Sequence, residues 1–157
     1  MHINQDLFAS IVKHTPLISI DLIVYNSNKK VLLGYRNNLP ARDTWFVPGG
    51  RIRKNERFAE AFNRITFEEL GVSFSMDKAE FKGVFEHHYP GENFAGLPDF
   101  GTHYVVLAFA LKMSGQTMNL PNSQHCEYKW SKPDEILFAN DIHQNVKNYF
   151  NGYTLFS

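Results

Sequence analysis

The chain has 157 residues, and its 16 Lys and Arg balance 16 Asp and Glu, for a formal charge of zero. That balance argues against a nucleic-acid partner, which calls for a basic excess to hold a phosphate backbone. The single Cys126 excludes an internal disulfide and suits a reducing compartment. The expectation is one domain over residues 1–157, cytoplasmic, with no secretory leader and no membrane span.

In chain order, "DLFASIVKH" near the N-terminus has amphipathic, helical spacing. "PLISIDLIVY" (16–25) is rich in β-branched residues and reads as a strand, with Asp21 as a charged interruption. The turn "NSNKK" and the run "VLLGYR" make 17–36 a predicted hairpin. After the loop "NNLPARDTW" comes "WFVPGG", a short strand ending in a Pro-Gly-Gly turn. A helix is expected from about Arg57 to Leu70, closed by Gly71 as a left-handed cap. "EFKGVFEHHY" and "THYVVLAFALKM" are two further strands around a Gly/Pro-rich loop. "EYKW" is a short strand, "KPDEIL" opens like a helix with Pro in its first turn, and "DIHQNVKNYF" is a closing amphipathic helix. The predicted class is α+β, a mixed sheet with helices packed on it.

The central helix holds an anomaly. Phe58, Ala61, Phe62 and Ile65 follow the i, i+3, i+4, i+7 rule and share a face. Glu69 falls in the middle of that stripe, with Arg64 and Glu68 along its edge. Either the carboxylate bends out to water near the helix end, or a positive partner meets it, because an unpaired buried carboxylate is costly.

The stretch "GRIRKNERFAEAFNRITFEELGV" (50–72) resembles the Nudix box, G-x5-E-x7-R-E-U-x-E-E-x-G-U with U a bulky aliphatic residue. Gly50, Glu56, Arg64, Glu68, Glu69, Gly71 and Val72 fall on it, whereas Ile65 replaces a glutamate and Thr66 the aliphatic residue. The segments "HTPLISIDLIV", "LLGYRNNLPA", "WFVPGGR", "THYVVLAF" and "LPNSQHCEYKW" make the chain similar, from about residue 5 to 150, to the GDP-mannose mannosyl hydrolase family within that superfamily, which departs from the box at the same place as Ile65.

The resemblance implies an α/β/α sandwich, a homodimer, and one Mg²⁺ per subunit. The metal ligands implied are the Gly49 carbonyl, Glu69 and Gln124, with Arg64 and Glu68 supporting them from behind. It implies hydrolysis of GDP-mannose, with GDP-glucose as an alternative substrate, by inverting substitution at the sugar C1. His125 is then the general base, and Arg36, Arg51 and Tyr104 stabilise the leaving diphosphate. Asp21, a carboxylate inside an apolar strand, needs a partner, which is either the mannose hydroxyls or a neighbouring strand or loop, and His87 is a second substrate-binding candidate. Phe8 is the stacking surface for guanine, beside the extreme N-terminus at His2 and Ile3. An aliphatic residue at 65 can neither bind metal nor accept a proton, so the usual water-activating carboxylate is missing. Two rivals fit the same residues: a diphosphatase that cleaves between the phosphates, and a nucleotide-sugar binder without catalysis.

Overall fold

The computed structural model describes residues 3–113, 118–123 and 125–156. Two of the expected site residues, His2 and Gln124, lie outside the described residues. Helix α1 (Gln5–His14) opens on Asn4, whose side-chain oxygen accepts from the Leu7 N–H at 2.8 Å. Strands β1 (Leu17–Tyr25), β2 (Val31–Arg36), β3 (Trp45–Phe46) and β4 (Gly49–Arg51) lead into α2 (Phe58–Leu70). A 3₁₀ turn at Met76–Lys78 precedes β5 (Ala79–Tyr89) and β6 (Thr102–Lys112). Strand β7 (His125–Ser131) and the short helices α3 (Pro133–Phe138) and α4 (Gln144–Lys147) follow.

The seven strands form one mixed sheet, in the order β3-β2-β1-β6-β5, with β4 also on β1 and β7 also on β2. The predicted hairpin at 17–36 is correct only at its turn, where Tyr25 pairs with Val31. Beyond that point β1 takes parallel β6 along its full length, from Leu17–Tyr104 to Tyr25–Lys112. The single strand expected at "WFVPGG" is two, because Pro48 has no N–H to donate to a ladder. Strand β7 begins at His125, earlier than expected. The closing helix is a single turn, with Tyr149 in the irregular chain after it.

Alternation along β1 divides the core. Ile20, Leu22 and Val24 pack with Leu32, Phe62 and Ile65 under α2. Ile23 joins Val31, Leu33, Phe46, Ile136 and Val146 on the face covered by α3 and α4. Helices therefore sandwich the sheet. The apolar stripe of α2 behaves as its spacing predicts except at Phe58, the first helical residue, which is 58% exposed. Gly71 caps α2 at φ 72°. Among the described residues no helix is long and apolar enough to cross a membrane.

Candidate active site

The loop between β4 and α2 is tied down by one guanidinium. Arg64 donates from Nε and Nη2 to the two carboxylate oxygens of Glu56, at 2.5 and 2.8 Å, and from Nη2 to the Arg51 carbonyl at 2.9 Å. Its Nη1 reaches Glu68 at 2.9 Å. Glu56 also accepts from the Arg53 backbone N–H at 2.7 Å. The Arg64 fork, followed by that backbone bond, holds the Glu56 carboxyl down at about 2. The direct partners of Arg64 are thus the loop and Glu68. Glu68 is largely exposed and shared with Arg53 at 3.4 Å.

Glu69 turns inward at the end of α2 and is buried. Burial pushes its carboxyl up to about 7, against the opposing pull of the Arg36 charge and a bond from the Gly49 backbone N–H. Gly49 stands opposite Asp21 in the β1–β4 ladder. A Cβ on it would fall 2.5 Å from Asp21 Oδ1 and 2.6 Å from the Ile20 carbonyl, so only glycine fits. Asp21 is likewise buried and raised to about 7 by desolvation, with Tyr149 and Arg36 opposing. Two buried carboxylates therefore flank the Gly49 backbone, and Asp21 adds to the upward push on Glu69.

Asp21, Arg36, Gly49, Arg51, His87 and Tyr104 line one cleft beside this junction. The Arg36 Nε is fixed by the Pro40 carbonyl at 2.9 Å. The Arg51 guanidinium lies 4.8 Å over the Phe8 ring, and Phe8 packs against Phe94 with centroids 4.8 Å apart. Arg51 is lowered chiefly by burial, and burial likewise raises Tyr104. Ile3 is half-buried just ahead of α1.

Tyr149 is the residue that sequence reasoning missed as part of the site. Its O–H donates to Asp21 Oδ2 at 2.5 Å, and His87 Nε2 lies 3.2 Å from the same hydroxyl. Burial drives His87 down to about 3, so its imidazole is neutral. Tyr149 had one sequence signal, its place in the last predicted helix, where the amphipathic spacing turns Ile142, Val146 and either Tyr149 or Phe150 inward and reads equally as core.

His125 pairs with Arg36 across β7 and β2. It is 2% exposed and lies behind the cleft, not among the residues lining it. Its ring sits over Gly34, where a Cβ would fall 2.4 Å from Nδ1. Among the described residues that Nδ1 has no hydrogen-bond partner. Burial, then the Arg36 charge, lowers the imidazole to about 4, so it is an unprotonated acceptor at neutral pH.

The oxygen donors a metal would meet here are the Gly49 backbone, which lines the cleft, and the Glu69 carboxylate buried behind it. No three His, Cys, Asp or Glu side chains group to hold an ion among the described residues. That donor set suits a hard cation that keeps water and substrate oxygens as its other ligands.

Comparison with known proteins agrees with this architecture. The NUDIX domain family matches residues 15–151. The low-salt glycan biosynthesis protein Agl8 of Haloferax volcanii is 35% identical over 147 residues, covering 94% of this chain and 88% of that protein. The structure of a MutT NUDIX hydrolase from Burkholderia pseudomallei superposes with a TM-score of 0.70 at 19% identity, covering 90% of this chain and 100% of that one. The NUDIX domain of Shewanella oneidensis NrtR, complexed with ADP ribose, gives 0.61 at 17% identity over 94% and 95% of the two chains. These last two likenesses show the fold, and the domain match together with the haloarchaeal relative shows the family: this chain is a Nudix hydrolase.

Proposed function

We propose that this Nudix hydrolase converts GDP-mannose and water to GDP and mannose by substitution at the sugar C1 with inversion. The observation that carries the reading is Ile65. It is fully buried, and its Cγ1 lies 3.1 Å from where a Gly50 Cβ would stand. The helix position that bears a glutamate in the general box therefore belongs to the core and offers no carboxylate for activating water against phosphorus. Attack at C1 makes smaller demands on the nucleophile, because departure of the diphosphate leaves an oxocarbenium-like centre. Its chief requirement is a stabilised leaving group.

The cleft chemistry supports that division of labour. Arg36 and Arg51 present guanidinium forks to the diphosphate, and Tyr104 offers a hydroxyl that burial keeps protonated. Phe8, against the Arg51 guanidinium, is the surface for the guanine ring. Asp21 and His87 take the hexose. Water attacks C1, the C1–O bond breaks with its electrons passing to the β-phosphate oxygen, and His125, a neutral imidazole in the strand behind the cleft, is assigned the water proton, which requires its ring to open toward the cleft when substrate binds. Glu69, the Gly49 carbonyl and Gln124 would hold Mg²⁺, which when bound neutralises diphosphate charge. The fit rests on Glu69, a buried carboxylate whose desolvation a divalent cation would offset. The glycan-biosynthesis name of the haloarchaeal relative supports a sugar-bearing substrate.

Hydrolysis of GDP-mannose in ¹⁸O-water tests this, with products read by mass spectrometry. Label in mannose is the expected result. Label in a phosphate-bearing product means cleavage between the phosphates and overturns the reading.

A further inference from the structure

Asp21, His87 and Tyr149 come from β1, β5 and the chain after α4, and they meet through one hydroxyl. The direction of each bond follows from chemistry. The Tyr149 O–H donates to Asp21 Oδ2, a carboxyl oxygen that accepts. The Tyr149 proton is then committed, and the His87 contact at 3.2 Å requires His87 to donate Nε2–H to the phenol oxygen. The imidazole is thereby fixed as the neutral Nε2–H tautomer, and its Nδ1 is an acceptor. On Asp21, Oδ2 is used by Tyr149, and Oδ1 faces the Gly49 backbone at the cleft wall.

A ring needed only for packing would serve as phenylalanine. Tyr149 already has that packing, against Phe85 with centroids 4.7 Å apart. Its hydroxyl is buried polar area, unfavourable unless bonded, and both of its partners line the cleft. The function of the hydroxyl therefore lies in the cleft wall.

We infer that Tyr149 is a positioning residue for sugar recognition, locking Asp21 and His87 as two hydrogen-bond acceptors for hexose hydroxyls. The inference rests on the GDP-mannose reading above. The wall offers acceptors to donors, so it selects a hydroxyl-bearing substituent on the diphosphate over a bare GDP. The chain following α4 thus completes the sugar subsite from a distant part of the sequence.

The test compares GDP and GDP-mannose binding by calorimetry, with KM and kcat, for the wild type, Tyr149→Phe, Asp21→Asn and the double variant. Tyr149→Phe should weaken GDP-mannose tenfold or more, as expected when buried polar partners lose their hydrogen bond, and leave GDP affinity within about twofold. KM should carry most of the change. In the Asp21→Asn background the Tyr149 change should add little, because the two act as a unit. Equal loss for GDP and GDP-mannose, or full multiplication of the two single effects, overturns the inference. Should Tyr149→Phe fail to fold, His87→Phe keeps a ring of similar size and removes both the acceptor and the donor to the phenol oxygen. It should lose discrimination between GDP-mannose and GDP, and retained discrimination counts against the proposal. The ¹⁸O result for the wild type separates the two claims. Label in mannose with an indifferent Tyr149→Phe sinks only the role of Tyr149, whereas label in phosphate sinks the underlying reading.

Discussion

Ile65→Glu puts back the glutamate of the general box, and the structure gives the cost. Ile65 is 0% exposed between α2 and the sheet, in a cluster with Ile20, Phe62 and Leu70. Losing its burial forfeits about 1.5–3 kcal/mol. The new carboxylate must also be neutral at that depth. Holding a group of ordinary pKa about 4.3 protonated at pH 7 costs about 4 kcal/mol, at roughly 1.4 kcal/mol per unit. The sum, about 5–7 kcal/mol, is comparable to the whole stability of a typical domain. The loss should depend on pH in a set direction. A carboxyl raised in the folded state destabilises increasingly as pH rises above its unfolded value, so Ile65→Glu should recover stability between pH 7 and pH 5. Urea denaturation at both pH values, read by tryptophan fluorescence, measures this. Ile65→Val is the control, with a loss of about 0.5–1.5 kcal/mol and no pH dependence of its own. If Ile65→Glu stays within about 1 kcal/mol of wild type at pH 7, position 65 reaches water. The argument that the helix lacks a catalytic carboxylate because its site is core would then fail.

Two further outcomes follow from the geometry. Glu56 is held at about 2, below its ordinary 4.5, so its bond to Arg64 stabilises the fold above pH 4.5 and is lost as pH falls toward 2. Glu56→Gln should lower stability at pH 7 by roughly 1–2 kcal/mol after solvent screening and flatten the wild-type loss between pH 4.5 and 2; an unchanged acid profile would refute it. Gly34→Ala should displace the His125 ring, since the new methyl would sit 2.4 Å from Nδ1 and 2.5 Å from Cγ. Overpacking costs about 1–3 kcal/mol, and kcat should fall on the order of a hundredfold if His125 takes the water proton. Undiminished kcat in a folded Gly34→Ala would remove His125 from the chemistry.

The local features of the fold were legible in the sequence and the long-range ones were not. The α2 stripe and the cap at Gly71 follow from a period of 3.6 and a left-handed glycine, both local rules. Phe58 obeys the same period and is exposed, because periodicity gives a direction on the helix and not what packs against it there. The parallel β1–β6 pair joins Leu17 to Tyr104. No local rule reports such a pairing, since apolar alternation marks a strand without naming its neighbour. The split at Pro48 has a local cause, a missing donor, yet the short run on either side gave no reason to count two strands.

The candidate site divides along the same line. Asp21 was conspicuous as a charge inside an apolar strand, and Glu69 as a charge inside an apolar stripe. Each anomaly raised the question of a partner, and the spacing of the residues identified none. The Asp21 partner lies 128 residues away, on a tyrosine whose spacing is explained equally well by the core. That gap reflects how the molecule is organised. Burial makes both carboxylates costly, and the residues that manage the cost come from other segments: the Arg36 charge, then the Gly49 backbone, for Glu69, and the Tyr149 hydroxyl for Asp21. Because Asp21 and Glu69 sit on opposite sides of one glycine, a change at either partner should be felt by both. Gly49, too tight for any Cβ, is the point where the two carboxylates come near enough for Asp21 to push Glu69 upward.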